Sequence, residues 1–583
     1  MPSLHHALDL HRAGKLPEAE QAYRALLQVQ PRQPDALSLL GVVLEAQGKA
    51  EEAVGFIRKA ITLDPKAPLF RLHLGNALLA AGQFAEAAVA LRLATRMQPD
   101  MTEAHYNLGN ALRQCADHDG AIVAFRACLK LMPQFHPARN NLALLLSAKG
   151  DHVAALAELR TVLRDDPQDL PARVNLVNVA DAAGDYVLCL REAEQAVALN
   201  PQHPDALFAQ GLALNRLQRD GDAVALYRRL LAIAPDHFRA WDNLGQSLQA
   251  LGQIAEAETA YRRALAVAPG DPETNYHLAL LLLLQGDLEA GFRAYDWRWR
   301  AVPGLQHLPL KIPAWDGGDP TGKTVLVADE QGFGDCLMFC RYLPLLRARG
   351  ARVIYACSPA LLPLLGGWSG ADQIIPLTEA SRVVCDVHCS LLDLPHLMGT
   401  TAQNIPAAIP YLAVPPGGVP ESVAIERRLR VGLVWAGNPK HKHDQRRSIA
   451  FDAFAVLFGV PGVRFYNLMR PVDLRGDEAA RFAAHDIVDL GVDIKDFAAT
   501  ARCIAALDLV VAVDTSAAHL AGALGQKVWI LLPFAPDWRW QTERDDSPWY
   551  PGMKLYRQSQ PDAWDVVLGR VREDLTALAM LSR

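Results

Sequence analysis

Prolines recur at Pro31, Pro65, Pro99, Pro133, Pro167, Pro201, Pro235, Pro269 and Pro303, 34 residues apart each time. A chain that keeps this register cannot fold as one globule there, because each unit must bury its apolar face on the next. A second comb runs Gly41, Gly75, Gly109, Ala143, Val177, Gly211, Gly245, Ala279. A third runs Ala19, Ala53, Ala87, Ala121, Ala155, Cys189, Ala223, Ala257, Gly291. Small side chains at fixed offsets let two helices approach closely. The glycine near the middle is expected to turn the chain, and proline ends the second helix.

This pattern resembles the tetratricopeptide repeat, with about nine helix pairs over residues 1–303. Such arrays are interaction surfaces, so a protein partner is expected. At one repeat position stand Asn107, Asn141, Asn175 and Asn243; three residues on stand Asn76, Asn110 and Asn178. Residues three apart share a helix face. A ladder of carboxamides can pair with the backbone of an extended peptide whatever its sequence. Asparagine is also a common consensus residue of these repeats, and both readings stand.

The bulk numbers narrow the class. With 58 basic and 64 acidic side chains, a net charge of −6 and no basic block, nucleic acid is not an expected partner. The longest apolar run is the seven residues Leu278–Leu284, too short to span a membrane. Nine cysteines, an odd number at scattered spacings, fit reduced thiols and a cytoplasmic location.

Beyond the combs comes a junction, residues 304–322. Just before it Trp297 and Trp299 flank Arg298, a set expected to cap the solenoid. The stretch Gly317–Thr324, GGDPTGKT, matches a phosphate-cradling loop literally. That loop needs a strand before it and a helix after it. Here coil leads in and a strand follows, so it is rejected. Strands then alternate with helices, which predicts a parallel α/β unit over 323–414 and a second over 429–583. A linker at 415–428 separates them, opening in proline- and glycine-rich Ala413–Gly418. Two such units leave a cleft between the carboxyl ends of their strands. The last helix, Asp562–Leu581, is expected to cross back and brace both.

The stretch Leu509–Leu532, LVVAVDTSAAHLAGALGQKVWILL, reads as strand, turn, helix, strand. A polar turn that opens a helix is an anion site. DTSAAHLAGALGQKVWILL resembles the nucleotide-sugar motif of GT-B glycosyltransferases of the heptosyltransferase type (glycosyltransferase family 9-like). The loop EQGFGD, Glu330–Asp335, resembles that family's N-terminal loop. The layout is similar to that of O-linked N-acetylglucosamine transferases and flagellin glycosyltransferases. The implied fold is an α-solenoid followed by α/β GT-B, two Rossmann-like domains facing a cleft.

The resemblance implies an inverting, metal-independent glycosyltransferase. It would move a sugar from a nucleotide-diphosphate sugar or CMP-sugar to a protein acceptor, flagellin or another surface protein. No other cofactor is implied. Asp335 would be the base that takes the acceptor's proton, with Glu330 in reserve; Asp335 would equally suit the N-cap of a helix begun by Cys336. Asp514, Thr515, Ser516 and His519 would hold the donor. Where the family often has glycine this chain has Ser516. In the loop 438–448 a cation among Lys440, Lys442, Arg446 and Arg447 would neutralise charge on the leaving diphosphate, and Asn438 would also bind the donor. Asp537–Trp540 and Trp549–Pro551 would form a loop over the donor's base; plain packing is the alternative. Cys336/Cys340 and Cys385/Cys389 share a C-x3-C spacing but read as packing rather than a metal site. Two other functions compete: a scaffold whose transferase half has lost turnover, and a transferase acting on a lipid-linked or polysaccharide acceptor.

Overall fold

The computed structural model describes residues 3–418, 423, 426–439 and 444–581. It divides into two compact units, Met1–Ala234 and Pro235–Arg583.

The first unit is all helical. Helix pairs Leu4–Arg12 with Leu16–Val29, Pro34–Ala46 with Ala50–Leu63, and so on end at Asp220–Ile233. The glycine comb does not turn the chain as expected. Gly41, Gly75 and Gly109 lie in mid-helix, where a Cβ would stand 2.3 Å from Ile57, 2.3 Å from Leu91 and 2.6 Å from Phe125. They buy close approach of the two helices of a pair. The turn is made by a separate comb, Gly14, Gly48, Gly82, Gly150 and Gly184, each with φ between 72° and 85°. That left-handed conformation favours glycine. Ala116 and Gln218 adopt it at the same register, with φ of 58° and 59°. Where the mid-helix glycine becomes Val177, the facing residue shrinks to Ala193, and both are buried.

This exchange of volume gives a test. Gly75→Ala is expected to cost about 1–3 kcal/mol by overpacking. Combining it with Leu91→Ala should cost less than the two single changes added together. Chemical denaturation of the three variants measures this; strictly additive losses would contradict the packing described.

The second unit opens with two more helix pairs, Phe238–Ala250 with Ile254–Val267 and Pro272–Gln285 with Leu288–Ala294. Two parallel sheets follow. In the first, β1 (Thr324–Ala328), β2 (Arg352–Cys357), β3 (Gln373–Pro376) and β4 (Val387–Ser390) lie in the order β3-β2-β1-β4. In the second are β5 (Leu429–Val434), β6 (Val463–Asn467), β7 (Ile487–Asp489), β8 (Leu509–Val513), β9 (Val528–Leu532) and β10 (Met553–Arg557). Their order is β10-β9-β8-β5-β6-β7. Counted within the sheet this is the doubly wound order, in which the chain leaves β5 to one side and returns on the other. The reversal lies between β5 and β8, which pair through Val434 and Ala512. In the first sheet it lies between β1 and β4.

The rejected phosphate loop precedes β1, as its coil lead-in implied. The last helix, Trp564–Leu581, packs on the 3₁₀ turn Phe451–Val456 and on β10, both within the second sheet's half. The brace expected of it is supplied by side chains described below.

Candidate functional site

The carboxyl ends of β5 and β8 carry the polar groups of the second sheet. β8 ends at Val513, and Asp514 leads to Thr515, the N-cap of the helix Ser516–Ala523, with φ −146° and ψ 166°. In that helix's first turn the amides of Ala518 and His519 donate to the Thr515 carbonyl at 3.1 and 3.3 Å, and those of Ser516 and Ala517 lead the helix at its dipole's positive end. The Thr515 hydroxyl is buried and has no hydrogen-bond partner among the described residues. Asp514 lies 3.6 Å from the Nε2 of His519. Burial by itself would raise its carboxyl; the close His519 imidazole, with Trp540 and Arg539 nearby, outweighs burial and holds it below the ordinary carboxylate range. The other ring nitrogen, Nδ1, lies 3.0 Å from the Tyr550 hydroxyl, and the ring stacks on Trp540 at 5.4 Å.

The loop after β5 joins this turn through Arg447, whose Nη1 donates to the Asp514 carbonyl at 3.0 Å. What fixes Arg447 is a carboxylate not singled out from sequence. Asp444 is buried and takes Arg447, the Nη2 of Arg475 at 2.8 Å and the Ser448 hydroxyl at 2.9 Å. A charged loop therefore has a buried anionic anchor. Arg446 stands beside Arg447 on the short helix Asp444–Arg447, and Asn438 is exposed at the loop's start. Lys440 and Lys442 lie outside the described residues.

Facing this wall is the loop after β1. The helix there runs Phe333–Phe339 with Gly332 as its N-cap, so Asp335 is inside the first turn and is not the cap of a helix begun at Cys336. The glycines conceal the true start, since Gly332 supplies the extended entry with φ −67° and ψ 158°. Gly334 meets the opposite sheet's half directly: a Cβ there would stand 3.0 Å from Cδ2 of His519. Phe333 meets Phe497 edge-on at 5.0 Å. Asp335 itself pairs with Arg539, from the loop after β9. Arg539 also donates from Nη1 to Asp537 at 2.7 Å.

Glu330 is turned to another task. Its carboxylate receives Nε and Nη2 of Arg298 at 3.0 and 2.8 Å, and Arg298 also reaches Asp393. Arg298 is 1% exposed and lies over Tyr295 and Trp299 at 5.0 and 4.5 Å. The arginine, more than its flanking tryptophans, ties the end of the repeats to both ends of the β1/β4 reversal.

A further tie between the sheets is Arg341. Buried, it donates to the carbonyls of Met338, Pro406 and Trp549 and to the Tyr411 hydroxyl. Its guanidinium lies over Tyr411 and Tyr550 at 4.4 and 4.5 Å. Trp538, Trp540 and Trp549 are buried in the same packing, against Phe292, Phe339 and His519. Cys336 and Cys340 are buried too, and burial pushes both thiols up.

Among the asparagines the structure brings some into pairs. Asn107 Nδ2 donates to Asn76 Oδ1 at 2.8 Å, and Asn141 Nδ2 to Asn110 Oδ1 at 3.0 Å. Asn178 is exposed and Asn175 half-buried. In the second unit Asn243 accepts from Gln246 at 3.1 Å.

Tetratricopeptide repeat profiles match residues 4–68, 174–238 and 243–304, and a second set matches 44–112 and 114–178. The first half of the chain is a tetratricopeptide repeat array. The chain is also 28% identical over 355 residues to Protein FlbA of Caulobacter vibrioides, covering 53% of this chain and 56% of that protein. It thus spans little more than half the length of that relative. Among solved structures, a tetratricopeptide repeat protein from Parabacteroides merdae gives a TM-score of 0.38 at 14% identity. That match covers 43% of this chain and 98% of the other. The Cut9–Hcn1 hetero-tetramer gives 0.36 at 16% identity, covering 46% and 52%. Among the described residues no helix is long and apolar enough to cross a membrane.

The lone Thr515 hydroxyl makes one test available. Removing a buried hydroxyl that has no partner removes a desolvation cost and no bond. Thr515→Val is therefore expected to leave the midpoint of thermal unfolding unchanged or raised. A clear drop would mean the hydroxyl is bonded in the free protein.

Proposed function

We propose that the chain is an inverting glycosyltransferase of GT-B fold, moving a sugar from a nucleotide-sugar donor to a protein acceptor recruited by the tetratricopeptide array. The observation that carries this reading is the meeting of two strand-order reversals. Asp335 stands on one, the Asp514–His519 turn on the other, and Gly334 touches His519 between them. Ligands of doubly wound sheets bind at such points.

In this reading the donor's diphosphate sits at the N-terminus of the helix Ser516–Ala523, near the amides of Ser516 and Ala517, the Thr515 hydroxyl and Arg447. Asp335 accepts the proton of the acceptor hydroxyl as its oxygen bonds to the anomeric carbon. The carbon–oxygen bond to phosphate breaks, and its electron pair leaves on the diphosphate. Attack opposite the leaving group inverts the configuration. Arg447 and the helix dipole meet the charge that develops, so no step is assigned to a metal. The paired asparagines keep N–H groups and lone pairs beyond their mutual bond, capacity that an extended acceptor segment can use. A cytoplasmic site of action accompanies this reading.

One observation favours the scaffold alternative: the pair with Arg539 occupies Asp335. The two are separated by incubating the protein with a panel of nucleotide sugars and following thermal unfolding. Stabilisation by one donor is expected. No stabilisation by any, with Asp335→Ala indistinguishable from wild type in cells, would leave only the scaffold.

A further inference from the structure

Arg539 is the cation placed to serve both walls. It reaches Asp335 across the cleft and is anchored by Asp537 on its own loop, through both its side chain and its amide at 3.0 Å. Its neighbour Trp540 lies on His519, which in turn faces Asp514. Its guanidinium rests on Trp538 at 4.4 Å. The loop that presents it is fixed from below. Arg557 directs its donors to the carbonyls of Arg544 and Gln541, both at 2.7 Å, and to that of Trp540. Gln541 holds φ 54°, a conformation costly for a residue with a side chain. With the loop's base fixed, a change of partner by Arg539 needs only its side chain to move.

We propose that Arg539 exchanges partners on donor binding, leaving Asp335 for the donor's diphosphate and so freeing Asp335 to act as base. This rests on the transferase reading of the cleft. In the free protein the carboxylate and the guanidinium neutralise each other. A diphosphate arriving at the Thr515–Ser516 turn presents a denser anion, and a guanidinium pairs with phosphate oxygens through two N–H groups at once. Asp335, released, faces the acceptor hydroxyl. The base is thus available only after the donor has bound, which orders the reaction with the donor first. The same carboxylate is a competitor for the cation that the diphosphate needs. Binding and pairing are therefore linked thermodynamically.

The linkage gives the two members of the pair opposite signs. The full chain is titrated calorimetrically with UDP, GDP, ADP and dTDP, as wild type, Arg539→Met, Arg539→Lys and Asp335→Asn. For the diphosphate that wild type binds, Arg539→Met should weaken binding at least about tenfold. Arg539→Lys should recover part of the loss. Asp335→Asn should tighten binding about fivefold or more, because the competing carboxylate is gone. If Asp335→Asn weakens binding, or Arg539→Met leaves it unchanged, the exchange is wrong while the transferase reading stands. If wild type binds none of the four, the diphosphate cradle of the transferase reading falls and takes the exchange with it. Near-ultraviolet circular dichroism, sensitive to the buried tryptophans, shows that each variant keeps its packing.

Discussion

Asp335→Asn is expected to lower sugar transfer by about 10²–10⁴-fold without unfolding the chain. Asparagine keeps the shape of the side chain and its place in the first turn of the helix Phe333–Phe339. It cannot take a proton from the acceptor. What the substitution loses in the free protein is the pair with Arg539, which retains Asp537 as a partner. The two effects separate in steady-state kinetics: the turnover number falls, and the affinity for the donor does not. A variant that kept wild-type turnover would remove Asp335 from the role of base. Glu330 does not offer a natural substitute, since its carboxylate is held by Arg298.

Arg298→Met is expected to be the most destabilising single change in the junction. Removing one partner of a buried ion pair costs about 3–5 kcal/mol, because the other charge stays behind without a partner. Here two carboxylates stay behind, Glu330 with 4% of its side chain exposed and Asp393 with 26%. The loss should depend on pH in a stated direction. Burial raises Glu330 above its ordinary value of 4.5, and Arg298 works against that rise. Without the arginine the folded-state value climbs further. An acid whose folded-state value lies above its unfolded one destabilises the fold at high pH and ceases to do so once it is protonated. The difference between wild type and Arg298→Met is therefore full near neutrality and shrinks as the pH is lowered through the raised folded value toward 4.5. Urea denaturation at several pH values reads it; a difference independent of pH would contradict the buried pairing.

The repeat array was legible because its register is periodic and its signal is repeated at every unit. The role of each comb was less so. Gly41 and Gly75 look like turn formers by composition, yet the positive φ belongs to Gly48 and Gly82, and only the facing Ile57 and Leu91 explain the others. The strands were legible from apolar runs bounded by polar turns, as at Leu509–Val513 and Val528–Leu532. Strand order was not, since nothing local states on which side of β5 the chain returns. The site divides in the same way. The turn Asp514–His519 announces itself because a strand, a turn and a helix lie in sequence. The partner of Asp335 lies 204 residues away on a loop that reads as aromatic packing. Asp444 was hidden among basic neighbours, where a charge run ordinarily means a solvated loop. Long-range pairing of loops is decided by topology, and topology leaves little mark on local pattern.

The binding of a donor between the two strand-order reversals can be measured directly by amide hydrogen exchange, with and without the nucleotide sugar that stabilises the protein. Backbone amides of residues 514–519 should slow on binding, through contact with the diphosphate. Residues 330–335 on the facing loop should slow as well, because the donor bridges both walls. Slowing in neither segment, or only within the repeats, would place the ligand elsewhere and contradict the site.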